Sequence, residues 1–161
     1  MTASSKKLAR LPTLRLSQMQ DVGGCRVVLD APAVEVDPLA ATIAEKWDVL
    51  ADDDYVRAPR PDGYRARHLV VRHSGVAIEV QLRTFLQDRW AEFRETAYRD
   101  FDLVAGERAE VSVERFFRDL SALMAGMEDG TLRAEALMEA VSNLLSQHME
   151  ALNALLRRPT P

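Results

Sequence analysis

The chain of 161 residues holds a single cysteine, Cys25. One thiol excludes an internal disulfide framework and any zinc site built on paired cysteines. Lysine is nearly as scarce, with 3 residues against 18 arginines. No apolar run approaches the roughly 20 residues that a bilayer-spanning helix needs. The N-terminal MTASSKKLAR leads into no apolar segment of the secretory type. A cytoplasmic, membrane-free location is the expectation. GxxxxGK[ST] and GxGxxG are both missing, which removes the P-loop and Rossmann routes to phosphate binding. Neither HExxH nor CxxC is present, so nothing argues for zinc. Internal repeats and low-complexity segments are absent too.

What remains fits one globular domain by length and by its 47% hydrophobic and 29% charged residues. The net charge of −4 does not favour long nucleic acid as a partner. Charge is unevenly spread: residues 1–100 carry 15 basic and 15 acidic side chains, residues 101–161 carry 6 and 10. Arg57, Arg60, Arg65, Arg67 and Arg72 fall within sixteen positions that contain one acid, Asp62. Planar guanidinium groups suit bidentate phosphate binding. Composition alone leaves a solvated surface face equally open.

Periodicity supplies the elements. Residues 25–30, after Gly23-Gly24, read as a strand. Asp37-Pro38 offers an N-cap and first-turn proline, and Leu39, Ile43, Trp47 and Leu50 follow at helical spacing. Residues 52–67 read as a polar loop, and the contiguous Asp52-Asp53-Asp54 as solvated rather than cation-binding. Residues 68–72 and 76–83 form two strands joined through Ser74-Gly75 as an antiparallel hairpin. In the second, Val76, Ile78, Val80 and Leu82 share one face, and Ala77, Glu79, Gln81 and Arg83 the other.

Helical spacing begins at Thr84, with Phe85, Trp90, Phe93 and Ala97 on an apolar side ending near Tyr98. A helix from Ser112 carries Phe116, Leu120, Leu123 and Met127. Asp129-Gly130 marks a turn. A last helix carries Leu137, Val141, Leu144, Leu145, Leu152 and Leu155. The expected fold is α+β: a small mixed or antiparallel sheet flanked by helices. Residues 1–105 form its core and 106–161 a helical C-terminal extension of the same domain. The Leu/Met stripes of that extension read as core or oligomer contacts.

The polar strand face carries the chemistry. Glu79, Gln81 and Arg83 lie on it, and the hairpin partner begins at His68, just after Arg65 and Arg67. Half-buried strands often show polar residues to water, so a solvated face is the plain alternative. An acid, an amide, an imidazole and several guanidinium groups on one face suit a metal–polyphosphate substrate. Asp21, before Val22-Gly23-Gly24, is a second carboxylate that would join Glu79 on a metal if their strands were neighbours; taken alone, an Asp before Gly-Gly is more often a turn residue.

Four segments in order, Met19–Val28, Asp54-Tyr55-Val56, Pro59–His68 and Glu79–Thr84, resemble successive motifs of RelA/SpoT-type alarmone synthetases across residues ~15–95. The resemblance implies a nucleotidyltransferase-like fold and Mg²⁺-dependent transfer of pyrophosphate from ATP to the 3′-hydroxyl of GDP or GTP. By motif, Asp21 and Glu79 would be catalytic and hold the metal, Glu79 alternatively taking the hydroxyl proton. Tyr64 would stack on the acceptor guanine, and His68, Arg60, Arg65, Gln81 and Arg83 would line the acceptor. Lys7, Arg10 and Arg26 would serve ATP.

Three departures from the pattern stand out. Asp62 replaces an asparagine and is unfavourable beside phosphates unless paired with Arg60 or Arg65. Ala66 and Arg67 replace a serine and an aliphatic residue, which bears on acceptor choice. Only Lys7 and Arg10 correspond to a longer basic donor-binding element, so the donor half reads as short. Three functions follow: an active synthetase, a catalytically impaired guanine-nucleotide-binding or regulatory protein, or a toxin-type enzyme acting on an adenine nucleotide or tRNA and paired with an antitoxin. The resemblance also implies self-association.

Overall fold

The computed structural model describes residues 23–100, 108–150 and 152–153. Strand β1 (Gly23–Leu29) is followed by a short 3-10 turn and helix α1 (Val36–Lys46). Strands β2 (Asp48–Asp54), β3 (Arg67–His73) and β4 (Val76–Thr84) come next, then helices α2 (Phe85–Asp100), α3 (Arg108–Glu128) and α4 (Ala134–Gln147). The four strands form one sheet in the order β1-β4-β3-β2. β1 runs parallel to β4, while β3 is antiparallel to both β4 and β2, so the sheet is mixed.

The β3–β4 hairpin turns on Ser74 and Gly75 alone, both in the left-handed region at φ 51° and 79°. Two positive φ values in a two-residue turn match the right-handed twist of the flanking strands. The alternation of β4 then sorts its side chains. Val80 and Leu82 join Leu69 and Val71 of β3 beneath α1, whose Val36, Ala40 and Ile43 complete a buried cluster. A second cluster lies between the later helices, with Trp90 and Ala97 of α2, Val113, Phe116 and Phe117 of α3, and Leu144 of α4.

Several local expectations change. α1 starts at Val36 with Glu35 as N-cap, so Asp37 and Pro38 lie inside its first turn. Trp47 caps the C-terminus in extended conformation and Leu50 sits at a bulge in β2; neither continues the helical stripe. Asp52, Asp53 and Asp54 are strand residues rather than loop. Aspartate is a poor strand former, but β2 is a sheet edge with one neighbour. That neighbour's Arg67 bonds Asp52 through Nε and Nη2 at 2.9 and 2.7 Å and Asp37 through Nη1 at 2.7 Å. Phe85 and Phe93 of α2, and Leu145 of α4, are exposed rather than core. Leu155 lies outside the described residues.

The segment from Tyr55 to Ala66 is an ordered loop. Tyr55 N–H donates to Ala66 O, closing its ends, and Gly63 N–H donates to Arg60 O across a turn with Pro61 at its second position. Gly63 has φ +91°, and a Cβ there would come within 2.8 Å of the Arg118 Cα of α3. Only glycine meets both demands. Ser121 of α3 donates to the Gly63 carbonyl at 2.5 Å, and Trp90 Nε1 donates to Phe117 O at 2.7 Å. The loop and α2 are thereby fastened to α3.

Candidate active site

The face of the sheet opposite α1 gathers most of the residues singled out from sequence. Across its strands, Arg26 of β1 sits in register with Gln81 of β4, His68 of β3 and Asp53 of β2. Glu79 and Arg83 flank Gln81 on the same face. Tyr64 reaches in from the loop.

These side chains close a ring of hydrogen bonds. Arg83 Nη2 donates to Tyr64 Oη at 2.8 Å and to Gln81 Oε1 at 3.0 Å. Tyr64 Oη lies 2.6 Å from His68 Nε2, and His68 Nδ1 lies 3.0 Å from Glu79 Oε1. Gln81 Nε2 donates to the other oxygen, Glu79 Oε2, at 2.7 Å. Burial pushes the His68 imidazole below its ordinary range against the pull of Glu79, favouring the neutral ring. Burial likewise raises the Tyr64 phenol, against the opposing pull of Arg83.

The ring is anchored at its basic end. Asp88 of α2, buried, accepts from Arg83 at 3.2 Å and from Arg26 at 3.1 Å, so one carboxylate holds two guanidinium groups toward the same side. Asp88 is placed by the start of α2. There Thr84 Oγ1 accepts from Gln87 N–H, and Gln87 Oε1 accepts from Thr84 N–H, the reciprocal pairing of a capping box. Glu128 of α3 accepts from both Thr84 and Gln87 side chains.

Beside the ring opens a cavity of about 300 Å³, lined by Arg26, Tyr64, Arg83, Arg94 and Tyr98 among others. That is the lower end of the range for small-ligand sites. The buried Nε groups of Arg83 and Arg94 have no hydrogen-bond partner among the described residues. A buried N–H left unpaired is costly. Arg60 stands over the Tyr55 and Tyr64 rings, 4.9 and 5.7 Å from their centroids.

Not every sequence candidate is on this face. Arg65 turns toward α2 and α3, donates from Nη1 to Val56 O at 2.9 Å, and lines a separate small crevice with Gln87, Trp90 and Glu128. Arg67 points to the opposite face, into the Asp37 and Asp52 carboxylates. Asp62 pairs with neither Arg60 nor Arg65; its partner is Arg94 of α2 at 3.3 Å, and its other oxygen accepts from Tyr64 N–H. β1 and β4 are neighbours and Gly24 is in register with Glu79, but Asp21, Lys7 and Arg10 lie outside the described residues. Asp88 and Arg94 complete the site without having been singled out, and Tyr55, quoted only within a motif, joins them. The capping box of Thr84 and Gln87 was readable and places Asp88 in the first turn; nothing local marks Arg94.

The described residues thus form an α+β domain whose single mixed sheet carries an acid–amide–imidazole–guanidinium ring on one face. Residues 2–100 match the family model described as a region found in RelA/SpoT proteins. The chain belongs to that family. It is 40% identical over 91 residues to the Mycobacterium tuberculosis protein Rv1366, covering 55% of this chain and 33% of the relative. To GTP pyrophosphokinase YjbM of Bacillus subtilis it is 23% identical over 128 residues, covering 74% and 61%. The chain thus spans about a third of the mycobacterial relative's length. The B. subtilis small alarmone synthetase 2 shares the fold at TM-score 0.68 and 16% identity, over 81% of this chain and 74% of that one. The B. subtilis small alarmone synthetase 1, bound to its product pppGpp, does so at 0.66 and 22%, over 80% and 71%. No helix among the described residues is long and apolar enough to cross a membrane.

Proposed function

We propose that the chain is a (p)ppGpp synthetase-like transferase that moves pyrophosphate from ATP to the 3′-hydroxyl of GDP or GTP. The observation that carries this is the closed ring of Arg83, Tyr64, His68, Glu79 and Gln81 beside an arginine-lined cavity, in a chain of the RelA/SpoT family. Glu79 is the acid of the site. Each of its oxygens accepts one bond of the ring, and a carboxylate has room for about four. That leaves capacity to receive a hydroxyl proton or contact a cation.

The donor set suits magnesium, which is commonly held by one or two carboxylates with the rest of its shell from water and phosphate oxygens. Among the described residues no cluster of three or more His, Cys, Asp or Glu would hold a metal by protein alone. Glu79, with Asp21 just before β1, would hold the ion, which would supply charge neutralisation for the polyphosphate. Arg26, Arg83 and Arg94 would bind phosphate oxygens through guanidinium donors. Arg60 and the Tyr55 and Tyr64 rings would form an edge on which a purine base lies.

Incubating the protein with Mg²⁺, labelled ATP and GDP or GTP tests the proposal, with parallel reactions offering an adenine nucleotide or tRNA. Formation of tetra- or pentaphosphate that Glu79→Gln slows by about a hundredfold or more is the expected result. Tight guanine nucleotide binding with no transfer to any acceptor would overturn it.

A further inference from the structure

The bonds of the ring have a fixed direction. Arginine has donors only, so the two bonds from Arg83 Nη2 make Tyr64 Oη and Gln81 Oε1 acceptors. The phenol has one proton of its own, and its other partner is His68 Nε2. Arg83 offers the phenol proton no acceptor, so within the ring that proton goes to Nε2, which accepts it. A neutral imidazole then carries its proton on Nδ1, which donates to Glu79 Oε1. On the second branch, Gln81 with its oxygen toward Arg83 must turn its NH₂ to Glu79 Oε2. Both branches leave Arg83 as donors and end on the two oxygens of one carboxylate.

We infer that the Tyr64 hydroxyl is a positioning group for Glu79: it fixes His68 as the Nδ1–H tautomer, so that the imidazole and the Gln81 amide grip one carboxylate oxygen each. This rests on the synthetase reading and adds to it a task for the hydroxyl distinct from any task of the Tyr64 ring. The Tyr55 ring packs edge-on to His68 at 5.4 Å between centroids, which limits rotation of the imidazole. With the tautomer reversed, His68 would present a lone pair to the Glu79 carboxylate, and that oxygen would lose its donor.

The test uses the full chain labelled with ¹⁵N and reads the Nδ1 and Nε2 shifts of His68 at neutral pH, the signals being assigned by their absence in His68→Gln. The expected wild-type pattern is protonated Nδ1 and bare Nε2. Tyr64→Phe keeps the ring and removes the hydroxyl. It should move His68 to a mixture of tautomers and lower kcat about tenfold, the size of one hydrogen bond, with KM for the acceptor within about twofold. Tyr55→Phe should leave the His68 tautomer unchanged. A wild-type His68 protonated on Nε2, a tautomer indifferent to Tyr64→Phe, or equal kcat in wild type and Tyr64→Phe each overturns the inference. The tautomer is read without turnover, so the ring can fail while transfer is seen, and transfer can fail while the ring is seen.

Discussion

Arg67 and Arg83 enter the sheet one register step apart, since Arg67 pairs with Leu82, and they leave it on opposite faces. Arg67 meets two carboxylates, Asp52 and Asp37, which hold its proton above even the ordinary arginine range. Its face is closed by α1 and the aliphatic cluster. Arg83 is buried where Arg67 is only half-buried, and its partners are one carboxylate, an amide oxygen and a phenol, with its Nε left unmatched. The same residue type thus completes one face and equips the other. What separates them is strand alternation together with the acids that neighbouring elements bring.

The contrast can be broken by substitution. The largest effect is expected from Glu79→Gln, which should reduce transfer by about 10²–10⁴-fold while leaving the denaturant midpoint near that of wild type. Phe117→Ala should cost about 3–5 kcal/mol of stability in urea titration, because this fully buried ring is packed by Trp90, Phe93, Tyr98 and Phe116. Paired substitutions sharpen the comparison directly. Arg83→Met should weaken guanine nucleotide binding by about ten- to a hundredfold in calorimetry, the worth of a charged hydrogen bond. Arg67→Met should leave binding within about twofold and remove less than about 1 kcal/mol of stability, since its carboxylate partners are more than a third exposed and screened. Equal binding losses in the two would erase the distinction between the faces.

Acid should separate the faces more gently. His68 is depressed below 6.5 in the fold by burial, so its contribution is complete above pH 6.5 and is lost as pH falls from there through the folded value. Asp52 is depressed below 3.8 by Arg67, so its contribution is complete above pH 3.8 and is lost only below that. Stability measured from pH 8 to 3 should decline in those two windows. His68→Asn should remove the upper one alone.

Much of this was legible in the chain. The alternation of residues 76–83 sorts β4 correctly, and Gly23-Gly24, Ser74-Gly75 and Gly130 mark real turns or strand starts. What local pattern could not carry was neutralisation at a distance. Three consecutive aspartates look like loop until Arg67 is opposite them, and Asp62 looks hostile to phosphate until Arg94 is found 32 positions later. The arginines of residues 57–72 read as one basic tract. The fold sends Arg67 to the apolar face, Arg65 to the α3 crevice and Arg60 over the Tyr55 and Tyr64 rings. Asp88 was invisible for a similar reason, because its meaning lies in Arg26, a contact 62 residues away.

The closeness of Gly63 to α3 has a further consequence for how the molecule breathes. Residue 64 follows directly on a backbone that touches Arg118 and is bonded to Ser121, so α3 cannot fray at its middle without releasing the tyrosine. A ligand that grips Tyr64 must then favour the closed helix, and by linkage the closed helix must favour the ligand. Amide protons around residues 117–121 would exchange more slowly when the cavity is filled, though none of them faces it.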